Sequence, residues 1–372
     1  MAENLLDLQN IVTAEELEMI LDKQLEYLFA HPETAARLSP LMIWGAPGVG
    51  KSSIIRKVAE KHKIGFIDIR LAQREPVDIR GLPVPEGDSV RWLVSADWPR
   101  DPESKGIIFF DELTAADRSL QVAAYELILD RRLGELYQVP KGWYICGAGN
   151  RVEDNAVAVA MSSALANRFM HVELREDADV WVKWGLQNSI HPAILGFIRF
   201  RPDLLFHQEG ENIERGWPSP RSWERVSIAI DSFGGRWNGL LRKMIYGLVG
   251  RASGIEFAHF FEKYDQYQYV REAMLDPAKK IKVPEPPDER YAFCTAVTTY
   301  LWSGKDQEEE KRLLDGFFRI LPKLPKAFAT MMVMDAMAET KIHTALDAVH
   351  IIKSHPGFEN WRKSTGGSFR VS

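Results

Sequence analysis

The chain has 372 residues and a formal net charge of −5, from 47 Lys and Arg against 52 Asp and Glu. With 45% hydrophobic and 27% charged residues, its composition is that of a soluble globular protein. Its length allows two or three domains. The negative charge gives no general attraction to nucleic acid or to anionic membranes, and it therefore disfavours both classes of partner.

The cysteines and the start of the chain predict where the protein works. Cys146 and Cys294 lie far apart in apolar surroundings, which indicates free thiols in a reducing compartment. Residues 1–10 lack the basic and apolar regions of a signal peptide, and no apolar run reaches the ~18 residues of a membrane span. We therefore expect a cytoplasmic protein without a membrane span.

The first elements predicted are a helix over residues 4–30 and a short buried strand, Leu41–Trp44. The strand leads into residues 45–52, Gly-Ala-Pro-Gly-Val-Gly-Lys-Ser, which is the pattern of a phosphate-binding loop. The glycines let consecutive N–H groups face one point, where a Cβ would block the turn or the phosphate. Apolar residues at helical spacing follow, so the loop opens a helix whose N-terminal dipole faces the anion.

The chemistry of this loop predicts a nucleotide and Mg²⁺ as its ligands. Lys51 reaches the β- and γ-phosphates, and the Ser52 hydroxyl binds Mg²⁺. The residues that we expect to bind the nucleotide are consecutive: Gly45, Ala46, Pro47, Gly48, Val49, Gly50, Lys51, Ser52 and Ser53.

Residues 41–175 alternate between strands and helices. Four more β-branched or aromatic runs predict strands: Gly65–Leu71, Ile107–Phe110, Trp143–Gly147 and Met170–Leu174. With Leu41–Trp44 they make five, and their alternation with helices implies a parallel sheet covered on both faces. The Pro-, Gly- and Asp-rich stretch from about residue 75 to 105 predicts an insertion with a hairpin around Glu86–Asp88.

Two carboxylates, Asp111 and Glu112, directly follow the strand Ile107–Phe110. In phosphate-loop enzymes this position puts the first acid near Mg²⁺, so Asp111 joins Ser52 as a predicted metal ligand. Glu112 can then polarise a water for in-line attack on the γ-phosphate. Adjacent carboxylates often only cap a helix or face solvent, but their place after a buried strand favours the functional interpretation.

Asn150 and Arg168 flank the last two strands of the predicted sheet. An Asn at a strand end is often a turn former, but the Asn150 carboxamide can also hold the attacking water or a γ-phosphate oxygen. Arg168 precedes the fifth strand, from which it cannot easily reach the nucleotide of its own subunit. It can reach a neighbour's nucleotide and neutralise charge on the γ-phosphoryl oxygens, the alternative being a surface salt bridge.

Beyond residue 176, helical periodicity dominates. The corner Trp217–Pro220 starts a helix whose first turn holds Arg221. A helix dipole disfavours a cation there, so Arg221 indicates an anionic partner, for which a nucleotide phosphate is the favoured candidate. Proline spacing over residues 276–289 predicts a linker, and residues 290–360 have helical spacing again.

Taken in order, these motifs resemble those of an AAA+ ATPase and, within that superfamily, the MoxR family. The resemblance to AAA+ proteins covers about residues 35–265 and rests on five segments: Gly45–Ser52, Ile107–Glu112, Gly147–Asn150, Ala164–Phe169 and Pro218–Glu224. The resemblance to MoxR rests on the phrase Asp78–Pro83, the insertion behind it and the corner at Arg221.

The resemblance implies a role for each motif. Gly45–Ser52 corresponds to the Walker A loop, Asp111 with Glu112 to the Walker B pair, Asn150 to sensor 1, Arg168 to the arginine finger and Arg221 to sensor 2. It also implies ATP hydrolysis with Mg²⁺ at the interfaces of a hexameric ring. MoxR-type proteins commonly act with a von Willebrand factor A-domain partner, as chaperone-like activators of protein complexes.

The expected architecture is α/β, with an AAA+ five-stranded parallel sheet between helices, a helical lid and a helical C-terminal extension. The predicted divisions are residues 1–176, 177–270, a linker at 271–289 and the extension at 290–372. Residues 290–372 have no counterpart in the resemblance, and either bind a partner or buttress the lid.

Three other functions fit the motifs less well. A nucleic-acid motor or clamp-loader-type protein would need a basic insertion, whereas residues 75–105 carry more acids than bases. A non-catalytic scaffold normally lacks Glu112 or Arg168, and both are present. A metabolic kinase is disfavoured by the corner at Arg221 and by Arg168. Nucleic acid is therefore not an expected partner.

Overall fold

The computed structural model describes residues 10–151, 161, 163–208, 216–338 and 347–364. The chain divides into two compact units, Met1–Glu176 and Asp177–Ser372. Within the described residues, no helix is long and apolar enough to cross a membrane.

The first unit is built on a parallel sheet. Its strands are β1 (Ile11–Val12), β2 (Leu41–Trp44), β3 (Gly65–Arg70), β4 (Leu82–Glu86), β5 (Ser89–Leu93), β6 (Lys105–Asp111), β7 (Arg132–Leu133), β8 (Tyr137–Gln138), β9 (Gly142–Gly149) and β10 (Met170–Leu174). Six of them form one sheet in the order β1-β10-β2-β9-β6-β3, with every neighbouring pair parallel. The five predicted strands are all present, and β1 adds a short sixth at the edge.

Helices connect these strands. They are α1 (Ala14–Ala30), α2 (Lys51–His62), α3 (Pro76–Arg80), α4 (Arg118–Asp130) and α5 (Ser163–Ala166). From residue 10 onward, the helix predicted over residues 4–30 is α1, which begins at Ala14 because Thr13 caps it in a capping box with Glu16. Residues 4–9 lie outside the described part of the chain.

The apolar runs of the sequence form the buried central strands of the sheet. Residues Ile107–Phe110 of β6 are all fully buried, as expected for a parallel strand with both faces covered. The predicted insertion contains the antiparallel hairpin β4–β5, in which Glu86 pairs with Ser89 around Gly87. The hairpin expected at Glu86–Asp88 is confirmed.

The second unit is helical. Its helices are α6 (Ala178–Gln187), α7 (Pro192–Phe200), α8 (Pro220–Ser232), α9 (Gly239–Val249), α10 (Arg251–Asp265), α11 (Tyr269–Leu275), α12 (Pro287–Leu301), α13 (Gln307–Ile320), α14 (Lys326–Ala338), α15 (Ala348–Ser354) and α16 (Pro356–Ser364). The fold class, a parallel α/β sheet domain followed by a helical part, is thus confirmed.

One hydrophobic core runs through this second unit. It extends from Trp181 in α6 to Trp361 in α16 and includes Ile281, which lies in the predicted linker. Residues 276–286 contain no helix, as the prolines predict, but the helices on either side share that core. The division into lid, linker and extension stays a prediction.

Candidate functional site

The phosphate loop connects the carboxyl end of β2 to the amino end of α2. Gly48 and Gly50 have φ of 91° and 102°, a region that residues with a Cβ rarely adopt. At Gly45, a Cβ would lie only 2.7 Å from the carbonyl oxygen of Leu174. The loop therefore needs glycine at these positions for its backbone as well as for the approach of a phosphate.

The Lys51 side chain lies inside this loop. It is only 9% exposed. Its Nζ donates to the carbonyl oxygens of Gly45 and Ala46 and, at 3.1 Å, to Oδ1 of Asn150. A buried ammonium that is held by backbone carbonyls at a helix N-terminus is positioned to meet phosphate oxygens.

Strand register explains why Asn150 meets Lys51. In the parallel pair β2–β9, Trp44 lies opposite Gly149, so the residues that follow each strand are neighbours. The amide of Gly45 donates to the carbonyl of Gly149 at 3.3 Å. The structure thus brings together two predicted site residues that are 99 positions apart in the chain.

Asp111 and Glu112 lie at the same edge of the sheet, where β6 ends beside β9. Both side chains are half-buried. Glu112 has a φ of +55°, and its amide donates to Oδ1 of Asp111 at 2.9 Å. The amide of the next residue, Leu113, donates to the carbonyl of Ala148 in β9. A left-handed backbone at a glutamate is uncommon, and such outliers concentrate at functional sites.

Asp68 of β3 is an acidic neighbour of this edge that the sequence analysis missed. Its Oδ2 accepts a hydrogen bond from Nη2 of Arg56 at 3.2 Å. Its Oδ1 is buried without a hydrogen-bond partner among the described residues. Burial, with the negative charge of Asp111 adding to it, raises the pKa of Asp68. The sequence feature that could have indicated Asp68 is the presence of an aspartate inside the apolar run Gly65–Leu71.

Arg168 lies at the opposite edge of the sheet. It precedes β10, whose first residue, Met170, pairs with Leu41 at the amino end of β2. The phosphate loop follows the carboxyl end of β2 instead. The Arg168 side chain is 56% exposed and its Nη1 lies 3.4 Å from Oδ1 of Asp130. The structure therefore does not bring Arg168 to the Lys51 site of the same chain.

Arg221 belongs to the second unit. It is exposed in the first turn of α8, after Pro220. The N-cap of this helix is Ser219, whose hydroxyl accepts a hydrogen bond from the amide of Ser222. The first turn thus has its own cap, and Arg221 is left on the surface of the unit.

The loop and its neighbours fit a nucleotide with Mg²⁺. The glycine backbone, the Lys51 ammonium and the start of α2 provide donors for phosphate oxygens. Ser52 and Asp111 provide oxygen ligands of the kind that Mg²⁺ takes, usually one or two from the protein with the rest from phosphates and water. The described residues contain no cluster of three or more His, Cys, Asp or Glu that could hold a metal ion.

Comparisons with known proteins give partial matches. Residues 41–132 match the family model of the viral superfamily 1 RNA helicase core domain. A stretch of 170 residues, 43% of this chain, is 25% identical to Midasin of Giardia intestinalis. The matched part is only 4% of the length of that relative.

Solved structures are similar at low identity. A variant of RuvB from Thermotoga maritima has a TM-score of 0.36 and 14% identity, over 70% of this chain and 74% of that one. The AAA domain of FIGL-1, in complex with ADP, has a TM-score of 0.34 and 18% identity, over 59% of this chain and 70% of that one. Each of these matches is partial or distant, so none of them assigns an activity or a partner to this chain.

Proposed function

We propose that this protein is an AAA+ ATPase of the MoxR type, which hydrolyses ATP in a ring and uses the energy to remodel or activate a protein partner. The observation that carries the proposal is the contact of Lys51 Nζ with Asn150 Oδ1 at 3.1 Å inside a glycine-built loop. It joins a phosphate-binding cation to a polar group on the neighbouring strand, at the edge where Asp111 and Glu112 also lie.

Each residue has a distinct role in this proposal. Lys51 binds the β- and γ-phosphates, and Ser52 with Asp111 would hold Mg²⁺, which when bound neutralises phosphate charge. Glu112 accepts a proton from the attacking water, and Asn150 orients that water or a γ-phosphate oxygen. Lys51 would exchange its present carbonyl partners for phosphate oxygens when the nucleotide binds.

The ring is proposed from the position of Arg168. Because Arg168 lies at the sheet edge opposite the loop, it could act only on nucleotide that a neighbouring copy holds. An arginine that acts in this way is worth roughly 10³–10⁵ in rate. Arg221 is proposed to contact nucleotide phosphate from the second unit. A hexamer, a cytoplasmic location and a von Willebrand factor A-domain partner complete the proposal by resemblance to the MoxR family.

Two variants test the catalytic assignment. Lys51→Ala should lose affinity for ATP, because a charge-assisted contact to phosphate is removed. Glu112→Gln should keep ATP affinity but lose almost all turnover, because the proton acceptor is gone while the Mg²⁺ ligands remain. Equilibrium binding of a fluorescent ATP analogue and phosphate release measure the two effects. Turnover of Glu112→Gln at the wild-type rate would show that the base lies elsewhere.

A nucleic-acid motor is the second candidate, and the match of residues 41–132 to the viral RNA helicase core favours it. The acidic insertion and the net charge of −5 oppose it, because few phosphate contacts could release counterions. We expect no tight binding of duplex DNA or RNA at physiological salt. Sub-micromolar binding in a fluorescence anisotropy titration would promote this candidate over the first.

A further inference from the structure

A cavity of about 280 Å³ lies at the amino-terminal edge of the sheet in the first unit. Its lining includes Ser39 and Pro40, which precede β2, and Asn167 and Arg168, which precede β10. It therefore opens at the edge opposite the phosphate loop, and Arg168 is one of several groups that face it.

The cavity is positively charged. Arg37, Arg131 and Arg168 all line it, and its lining includes no carboxylate within the described part of the chain. Asp130 pairs with one of these arginines, since its Oδ1 lies 3.4 Å from Nη1 of Arg168. Arg37 and Arg168 are both exposed, and two cationic side chains beside one small space favour the entry of an anion.

Arg131 forms a fixed part of the cavity lining. It is only 8% exposed and adopts a left-handed φ of 56° at the C-terminus of α4. Its Nη2 donates to the carbonyl oxygens of Pro140 at 3.0 Å and Trp143 at 2.7 Å. Burial lowers its pKa to about 10, which leaves it charged at neutral pH. Because backbone carbonyls hold its guanidinium, Arg131 is a fixed residue of the cavity lining.

Arg37 is the least restrained of the three. It follows the short helix Pro32–Thr34, is exposed, and makes no side-chain hydrogen bond or ion pair with any residue that the structure describes. Its side chain is therefore available to an anion that enters the cavity from outside.

We propose that the cavity receives phosphate oxygens of the nucleotide held by a neighbouring copy, and that Arg37 is a second cation that contacts them beside Arg168. Arg131 is a positioning residue, whose buried and hydrogen-bonded side chain keeps the wall of the cavity rigid. This inference rests on the proposed function, because it needs a ring that hydrolyses ATP. It adds a second trans-acting arginine and a built pocket to that function.

The first test is Arg37→Ala in the full-length protein. Its turnover number should fall about 10- to 100-fold, since a cation that stabilises transition-state charge is lost. Affinity for a fluorescent ATP analogue should stay unchanged, because the variant's own loop is intact, and Arg37→Lys should recover part of the rate. Arg132→Ala is the matched control, because Arg132 is an exposed arginine close by that does not line the cavity.

Wild-type turnover by Arg37→Ala would overturn this inference alone. So would a loss of assembly in light scattering that accounts for the whole loss of rate, because Arg37 would then be an interface ion pair. If the wild-type protein itself hydrolyses no ATP, both this inference and the proposed function fail.

Mixing of variants identifies the site on which Arg37 acts. A Lys51→Ala subunit can supply an intact Arg37 to the intact loop of an Arg37→Ala subunit, so that mixture should regain activity. A mixture of Arg37→Ala and Arg168→Ala should not, because every cavity then lacks one of its two contacting cations. Recovery in the second mixture would show that the two arginines serve different sites, and would overturn the shared cavity.

Discussion

The first unit places cations at the edges of its sheet, in the phosphate loop and beside a cavity, whereas the second unit closes a buried ion pair within its core. Lys51 is held by loop carbonyls and Asn150 at one edge, and Arg37 lines a cavity at the other. In the second unit, Arg199 of α7 donates both terminal nitrogens to the buried carboxylate of Asp335 in α14. The cavity beside Arg37 can admit an anion, whereas Arg199 and Asp335 already hold their opposite charges together.

The second unit also has a tightly packed aromatic centre. The second unit contains a triangle of Phe197, Trp223 and Phe257, with each pair of ring centroids 5.4 Å apart. Trp223 is fully buried, and its Nε1 donates to the carbonyl of Leu204 at 2.7 Å. We therefore expect substitutions in this aromatic core to change stability, and those at the edges of the sheet in the first unit to change ligand binding and turnover.

The largest stability effect should follow from Trp223→Ala. Removing this ring leaves a cavity and an unpaired carbonyl, which should cost about 3–5 kcal/mol of unfolding free energy. Ile228→Ala on the same helix is the control, because Ile228 is 63% exposed and its loss should cost less than about 0.5 kcal/mol. Urea unfolding followed by circular dichroism measures both. Similar costs for the two variants would contradict the assignment of the triangle as the centre of this core.

The pH dependence of the second unit should reflect His191. Its ring packs against Phe261 and Tyr264, and its Nδ1 accepts from the amide of Ala193 at the start of α7. Burial lowers the pKa of His191 to about 4. The negative charge of Asp231 raises that pKa, but by less than burial lowers it. Between this value and the ordinary 6.5, the unfolded chain binds more protons than the folded one.

Stability should therefore rise with pH across that window, by at most about 1.4 kcal/mol per pH unit and about 3 kcal/mol in total. His191→Asn keeps an N-cap acceptor and removes the titration, so it should show a shallower slope. Comparing urea unfolding of the two proteins from pH 4 to 6.5 isolates His191 from the carboxylates that titrate in the same range. Equal slopes would show that the pKa of His191 does not differ between the folded and the unfolded protein.

Much of the first unit could be predicted because its signals are local. Strands β2 and β10 have the predicted bounds, since short apolar runs in a parallel sheet stand out against their polar connections. Strand β1 could not be predicted, because two residues carry no periodicity and its partner, β10, is more than 150 positions away. No sequence pattern predicted the left-handed backbone of Glu112 either, because this conformation arises where β6 meets β9.

The second unit was less predictable. Helical spacing indicates helices but not which faces meet, so the sequence left open whether residues 290–372 buttress the lid or bind a partner, and only the structure shows the core shared across residues 276–286. In the first unit, the cavity lined by Arg37 and Arg131 could not be predicted for the same reason. Its lining comes from four separate parts of the chain, which only the sheet order brings together.

The smallest effect, and the sharpest contrast between the two units, should come from a pair of glycine substitutions. A Cβ at Gly50 would meet only Ile54 Cδ1 at 3.9 Å, and a Cβ at Gly247 would meet nothing within 4 Å. Space is therefore available at both positions. The difference is in the backbone, since Gly50 has a φ of 102° at the start of α2, while Gly247 lies inside helix α9 without a left-handed φ.

Gly50→Ala should therefore cost about 1 kcal/mol of stability or more through backbone strain, and should weaken ATP binding because the loop amides lose their alignment. Gly247→Ala should add about 0.5–1 kcal/mol, because alanine restricts the unfolded chain and suits a helix interior. Thermal unfolding of the two variants should show stability changes of opposite sign. Titration of a fluorescent ATP analogue should show weaker binding for Gly50→Ala. A stabilised Gly50→Ala that still binds ATP would mean that the left-handed turn is not required, and would remove the backbone argument for the phosphate loop.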